Sequence, residues 1–332
     1  MSFSVRLPAT SLLAVMVGTV ACPLAGCSGM SWKSPLYRNH PLTGRIWDIS
    51  AARFIDREIL FKRLIRADFV LLGERHDNPD HHLLQAEVLR SMIDLGRRPA
   101  VGFEMLGLDD AGVIAKHLAA APNDAAGLGP ALNWNKRGWP DWAMYRPIAE
   151  AALDARLRIV ATNLPLATAR KMTREGLAAL EPHVVRELGF ERPQLEPMLE
   201  RMAADIRDGH CGYVSEKSVK PMLDVQRARD AQMAGSLVAA ADPDGAILIA
   251  GAGHARNDYG IPVYLKAKAP EKRVVSIAFV EADKHKTEPQ SYARSYPDGL
   301  FPFDYVWFTP RVDDEDPCEK FKSQLDRFKK AR

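Results

Sequence analysis

The 332-residue chain has only four cysteines, and charge of neither sign dominates it: 45 Lys and Arg against 42 Asp and Glu give a formal +3. That balance implies no nucleic-acid or acidic-lipid partner. Beyond the first 26 residues no apolar stretch is long enough to cross a bilayer, which takes roughly 20 residues. Chemical signatures are also few. No HExxH, CxxC or CxxCH occurs, so neither a zincin site nor covalent c-type haem is supported. GxSxG, a P-loop and a GxGxxG behind a strand are missing too, which removes the common serine-hydrolase and nucleotide-binding motifs.

What is present begins at the N-terminus. Arg6 is the sole charge in the first 26 residues, the apolar run Leu12 to Cys22 follows, and Leu24-Ala25-Gly26-Cys27 ends it. A positive start, a short apolar core and small residues before a cut are the parts of an export signal. The Leu-Ala-Gly-Cys ending resembles the lipobox of lipoprotein signal peptidase, with an ordinary signal peptide and a chance cysteine as the other reading. The resemblance implies cleavage before Cys27 and acylation (palmitate among the chains) of that residue. Several acyl chains make a stable anchor. Ser28 rather than Asp follows the cysteine, which for such lipoproteins points to the outer membrane of a Gram-negative envelope.

Removal of 26 from 332 residues leaves 306, long for one domain but within reach of a single α/β unit. An apolar content of 47% suits a sizeable core. The expected layout is a signal over 1–26, a lipidated tether over 27–45 (Ser, Gly, Lys, Pro, Tyr and Asn) and one α/β domain over 46–332. With Cys22 in the signal and Cys27 lipidated, Cys211 and Cys318 remain. In an oxidising compartment they suggest one disulfide, or else two buried free thiols.

Short apolar runs predict strands at Asp68–Gly73, Ala100–Glu104, Arg158–Thr162, Ala246–Ala250, Arg273–Phe279 and Tyr305–Phe308. A helix should start at Pro79 behind an Asp77 or Asn78 cap. Others are expected over about 141–156, 165–180, 194–208 and 215–241. The alternation predicts an α/β fold with a largely parallel sheet. Val70-Leu-Leu-Gly73-Glu-Arg-His76 is echoed by Leu248-Ile-Ala-Gly251-Ala-Gly-His254, which suggests two similar βα halves facing each other.

Open α/β sheets bind ligands off the carboxyl ends of their strands. Glu74, His76, Glu104, Asn163 and His254 all stand at such ends. Two carboxylates and two imidazoles converging there could hold a divalent metal through His76, Glu104 and His254, or move protons. Each could equally be a cap or an ion-pair partner. Asp77 reads as a helix cap, and His81 and His82 as exposed on the first helical turn. On the helix from 215, Gln226, Arg229 and Asp230 share a side with Met222, Val225, Met233 and Leu237. Charges on a buried face need partners, so Arg229 and Asp230 are expected to support the cleft by orienting Glu74 or Glu104, unless that face is only half buried. Trp134, Trp139, Trp142 and Tyr145, beside Lys136 and Arg137, suit a flat anionic ligand or a loop folded over a core.

Taken together, Gly73-Glu-Arg-His-Asp-Asn-Pro-Asp-His82, Gly102-Phe-Glu-Met105, Gly138-Trp-Pro-Asp-Trp142, Ala161-Thr-Asn-Leu-Pro165, His210-Cys-Gly212, Gln226-Arg-Ala-Arg-Asp230 and Gly251-Ala-Gly-His-Ala-Arg256 resemble the ChaN-like haem-binding uptake lipoproteins. These belong to the wider Tiki/erythromycin-esterase-like superfamily. The likeness runs from about 45 to 320. It implies paired βα halves on a mainly parallel or mixed sheet flanked by helices, haem binding at the outer membrane, and a superfamily site at Glu74, His76, Glu104 and His254. Tyrosinate is a haem-iron ligand. The cofactor candidates are Tyr145, His76, His254, Trp139 and His210, with Tyr213 and Tyr259 as further alternatives for the iron. Expected partners are haem or a similar tetrapyrrole, the membrane through the lipid, an outer-membrane haem receptor and a second copy of the chain. The alternative is a metal- or carboxylate-dependent hydrolase, with Glu74 or Glu104 as general base and His254 as ligand or oxyanion partner.

Overall fold

The computed structural model describes Met1 and residues 31–190, 196–241, 243–320 and 322. The expected export signal, apart from Met1, and Cys27 lie outside the described residues. The body begins at Trp32.

Eight strands form one sheet: β1 (Ile46–Asp48), β2 (Arg53–Ile55), β3 (Phe69–Glu74), β4 (Ala100–Gly107), β5 (Ile159–Asn163), β6 (Ala246–Gly251), β7 (Val274–Glu281) and β8 (Tyr305–Thr309). Their order is β2-β1-β8-β7-β3-β6-β4-β5. From β8 to β5 every pairing is parallel, and the β1–β2 hairpin adds antiparallel to β8. The parallel strands are the apolar runs legible in the sequence. β3, β4, β6 and β8 are buried along their whole length, as parallel strands covered on both faces must be. The hairpin strands span three residues each, too short to leave a periodic signal.

The echoed segments are not apart. β3 and β6 pair directly, with Phe69 opposite Ala246 and Glu74 opposite Gly251. The similar βα pieces therefore share one sheet as neighbours, and their carboxyl ends are level.

Helix Pro79–Asp94 is capped by Asn78, whose side chain accepts from Asp80 N–H at 2.9 Å. Asp77 instead pairs with Arg75 at 2.7 Å. The helix expected over 165–180 stops at Glu175, because Gly176 turns out of it at φ +61°, and a 3-10 turn follows. Helices Trp142–Asp154, Glu196–Gly209 and Glu216–Ala240 stand close to their expected spans. Helices Arg57–Leu64, Ala111–Ala120, Ala125–Ala131, Pro182–Glu187 and Ile261–Lys268 fill further gaps between the strands. Most are short, and packing rather than a long pattern maintains such helices.

The expected tether needs correction over its described part. Lys33 and Ser34 N–H donate to the Asp80 carboxylate at 2.7 and 2.8 Å, Leu36 bridges to Arg311, and Gly44 N–H donates to Phe308. Ser34 and Leu42 are buried. A carboxylate on the first turn of the Pro79 helix thus fastens the segment down. Cys211 and Cys318 form a disulfide with Cα atoms 5.7 Å apart.

Candidate functional site

The site lies where β3, β4 and β6 end. Glu74 closes β3 and is buried. Its Oε1 accepts from His76 Nδ1 at 2.8 Å and from the Tyr145 hydroxyl at 3.0 Å, and His82 Nδ1 stands 3.1 Å from Oε2. Glu104, also buried, points from β4 to the same edge. Arg229 donates to its Oε1 at 2.6 Å and the Gly251 backbone N–H to its Oε2 at 2.7 Å. His254 Nε2 lies 3.2 Å from Oε1, and His76 Nε2 lies 3.8 Å from Oε2. Behind His254, Nδ1 bonds the fully buried Asp230, and the Gln226 amide lies 3.0 Å from that nitrogen.

Glu74, His76, Glu104 and His254 are thus one continuous cluster. The helix Glu216–Ala240 contributes as its mixed face requires: Arg229 to Glu104, Asp230 and Gln226 to His254. Asn163 ends β5 and donates to the Glu104 carbonyl at 2.7 Å.

The two glycines of the Gly-x-x-His echo act by allowing close approach, since neither has a positive φ. A Cβ at Gly251 would stand 2.9 Å from His76 Nε2, and one at Gly73 would stand 2.9 Å from the Ala252 Cα.

Burial penalises every charge here, and the outcome follows from the partners. It would raise Glu104, yet His254, His76 and Arg229 hold that carboxyl well below its usual range. Glu74 is likewise held far down by His82 and His76. Burial would lower His254, but Glu104 and Asp230 on its two nitrogens raise it to about 9. His76 and His82 are also raised, against burial, by Glu104 and Glu74 respectively. The cluster is therefore two carboxylates neutralised by imidazolium and guanidinium groups. His76 is its accessible member: its side chain is 32% exposed, against 6% for His254. Beside Glu104 a cavity of about 380 Å³ opens, walled by Met105, Trp139, Leu166 and Val225 with Arg137 and Arg229 at its polar side.

Several expectations change. His81 and His82 are fully buried. His81 Nδ1 accepts from Arg75 N–H at 2.8 Å and its Nε2 donates to Thr309 Oγ1 at 2.9 Å, a neutral imidazole that burial lowers to about 3. His82 is a site residue the sequence reading missed; its i+3 relation to Pro79 on the capped first turn was the available signal. Of the aromatic segment two members reach the site: Trp139, its ring centroid 4.9 Å from that of His76, and Tyr145 through its hydroxyl on Glu74. Trp134, Trp142 and Tyr145 are buried core.

Tyr145 does not fit an iron ligand, because its hydroxyl is bound to Glu74 and burial pushes its ionisation far up. Tyr259 is buried with its hydroxyl on Asp205, and His254 has both nitrogens engaged. The divalent-metal expectation is corrected as well. The oxygens of Glu104 are taken by Arg229, His254 and Gly251, and among the described residues no group of three or more His, Cys, Asp or Glu could hold a metal ion. His210 sits off the end of Glu196–Gly209, its Nδ1 donating to the Ile206 carbonyl at 2.7 Å.

A solved structure of haem-bound ChaN from Campylobacter jejuni, described as showing cofacial haem binding, is similar in fold. It matches at a TM-score of 0.62 and 21% identity over 79% of this chain and 95% of that one. A mutant of the erythromycin esterase EreC in its open conformation aligns at a TM-score of 0.38 and 14% identity, over 80% and 82%. No curated protein matches the chain. The family profile described as haem-binding uptake, Tiki superfamily, ChaN spans residues 60–265, from the helix before β3 into the helix after β6. That span is well over half of the sequence and includes every residue of the cluster: the chain belongs to the ChaN family of the Tiki superfamily.

Proposed function

We propose that this protein binds haem in the cell envelope of a Gram-negative bacterium, anchored through lipid on Cys27, and serves haem-iron uptake. The family match over 60–265 carries the reading. The export signal and its Leu-Ala-Gly-Cys ending support the anchor. An outer-membrane receptor and a second copy of the chain are the partners this role calls for.

The fit to haem turns on which phenol can meet an iron. Of eight tyrosines, Tyr145, Tyr259, Tyr264, Tyr292 and Tyr305 are buried. Tyr296 is wedged between Phe301 and Phe303 under Arg256. Tyr37 and Tyr213 remain partly exposed. Tyr37 lines an open recess of about 520 Å³ with Arg38, His40 and Lys284; the two cations, Arg38 and Lys284, suit haem propionates, while burial lowers the His40 imidazole. Tyrosinate ligation there competes with a proton, because the hydrogen bond to Asp314 raises the phenol. Haem, when bound, supplies the iron. These residues would hold it and balance its carboxylates. Hemin titration of the purified protein should give a Soret band, and Tyr37→Phe and Tyr213→Phe, singly and together, identify the ligand. Absence of a Soret shift in the unmodified protein refutes the reading.

A second reading rests on a separate observation: His76, raised above its ordinary range, is partly open beside a cavity and flanked by two ionised carboxylates. Perturbed groups of this kind mark acid–base sites. A carboxylate-based hydrolase would use His76 for proton transfer, with Glu74 orienting it. Hydrolysis of model esters that His76→Asn abolishes while the Soret band persists supports this reading. Esters left intact by the unmodified protein exclude it.

A further inference from the structure

β5 is the terminal strand of the sheet, opposite the hairpin end. Helix Ala111–Ala120 runs beside it. Ala111, Ile114, Ala115 and Leu118 recur at the spacing of one helical face, and an apolar stripe of that kind ordinarily closes down on a sheet. Here it stands off. Between the helix and Ile159, Val160 and Ala161 of β5 runs a groove of about 520 Å³, floored by Leu153 and Leu157. That volume is in the range of small-molecule sites, which pair apolar walls with a few polar groups.

The polar lining is Asn123 and two arginines, Arg156 and Arg158. Arg156 follows the C-cap of helix Trp142–Asp154 and has φ +56°. Glycine or asparagine ordinarily occupies that left-handed position, because a side chain there is strained. Among the described residues its guanidinium has no hydrogen-bond or ion-pair partner. Arg158 lines the groove and gives one Nη2 bond at 2.7 Å to the Ala240 carbonyl. Neither arginine belongs to the cluster around Glu104.

We propose that this groove binds a fatty-acyl carboxylate, its chain along the stripe from Ala111 to Leu118 and its head group on Arg156 and Arg158. The complementarity is twofold: an acyl chain laid on Ala115, Leu118 and Val160 takes exposed apolar surface out of water, and a carboxylate matches the fork of donors that arginine presents.

The test uses the purified protein with cis-parinarate as fluorescent probe and oleate as competitor. Parinarate fluorescence should rise on binding, oleate should displace it, and oleyl alcohol should compete at least about tenfold less well, as loss of one charge-assisted contact implies. Arg156→Asn keeps the left-handed position comfortable and should weaken oleate about tenfold. Leu118→Trp should block the groove while leaving the hemin Soret band unchanged. Equal competition by the alcohol, or oleate binding unaffected by both variants, overturns the proposal. So does hemin displacing parinarate in an Arg156-dependent way, which would give the groove to the tetrapyrrole. The Soret readout keeps these outcomes separate from failure of the haem reading itself.

Discussion

His254 Nε2 lies 3.2 Å from Oε1 of Glu104, so the carboxylate of β4 and the histidine of the second Gly-x-x-His form a single ion pair. Asp230 holds the other nitrogen of the imidazole. The proton on His254 is thereby kept by two carboxylates in a site that burial would otherwise leave neutral.

That arrangement fixes a pH dependence. The folded pKa of His254, about 9, lies above its ordinary 6.5, so its contribution to stability is full below about 6.5 and is lost as pH rises through 9. Glu74 and Glu104 are depressed, so theirs is present above about 4.5 and lost in acid. Denaturant melts should show greatest stability near pH 5–6.5, with a loss of roughly 1–3 kcal/mol by pH 9.5. In Glu104→Gln the alkaline loss should shrink; an unchanged profile would remove Glu104 as its cause.

Tyr145→Phe should leave the Soret band of hemin-loaded protein unchanged. It removes a hydrogen bond to a buried carboxylate, worth roughly 1.5–3 kcal/mol of stability. Loss of the band without loss of stability would restore Tyr145 as ligand.

Gly73→Ala and Gly251→Ala should differ. At Gly73 a methyl meets backbone and the Ala255 Cβ, which cannot yield, so a loss of roughly 2–3 kcal/mol is expected. At Gly251 it meets the tip of His76, which can rotate. The second variant should fold nearly as well as the parent but shift the His76 imidazole resonances in NMR.

Cys211→Ser should lower stability by roughly 2–4 kcal/mol, because the disulfide closes a loop of 107 positions. Thiol titration of the denatured, unreduced parent should find no free thiol at either position.

Cys27→Ala should abolish partition into the detergent phase and leave a soluble or unprocessed form. Unchanged membrane fractionation would refute lipidation at this residue.

The sequence alone determined the parallel strands, because each is an apolar run bounded by polar or turn residues, and the Pro79 helix start, because a capping Asn78 precedes a proline. It also marked Glu74, His76, Glu104 and His254 by the oddity of titratable side chains at strand ends, and Arg229 and Asp230 by charge on an apolar helix face. Only the tertiary structure decided who meets whom. Strand order is a non-local choice: nothing in the residues of β3 says that β6 lies beside it in level register, and that neighbourhood is what places Gly251 N–H and His254 on Glu104. Burial is equally non-local. His82 and Tyr145 read as surface and ligand until Glu74 is seen to take both, and residues 33–45 read as a tether until the Asp80 carboxylate is found holding their backbone.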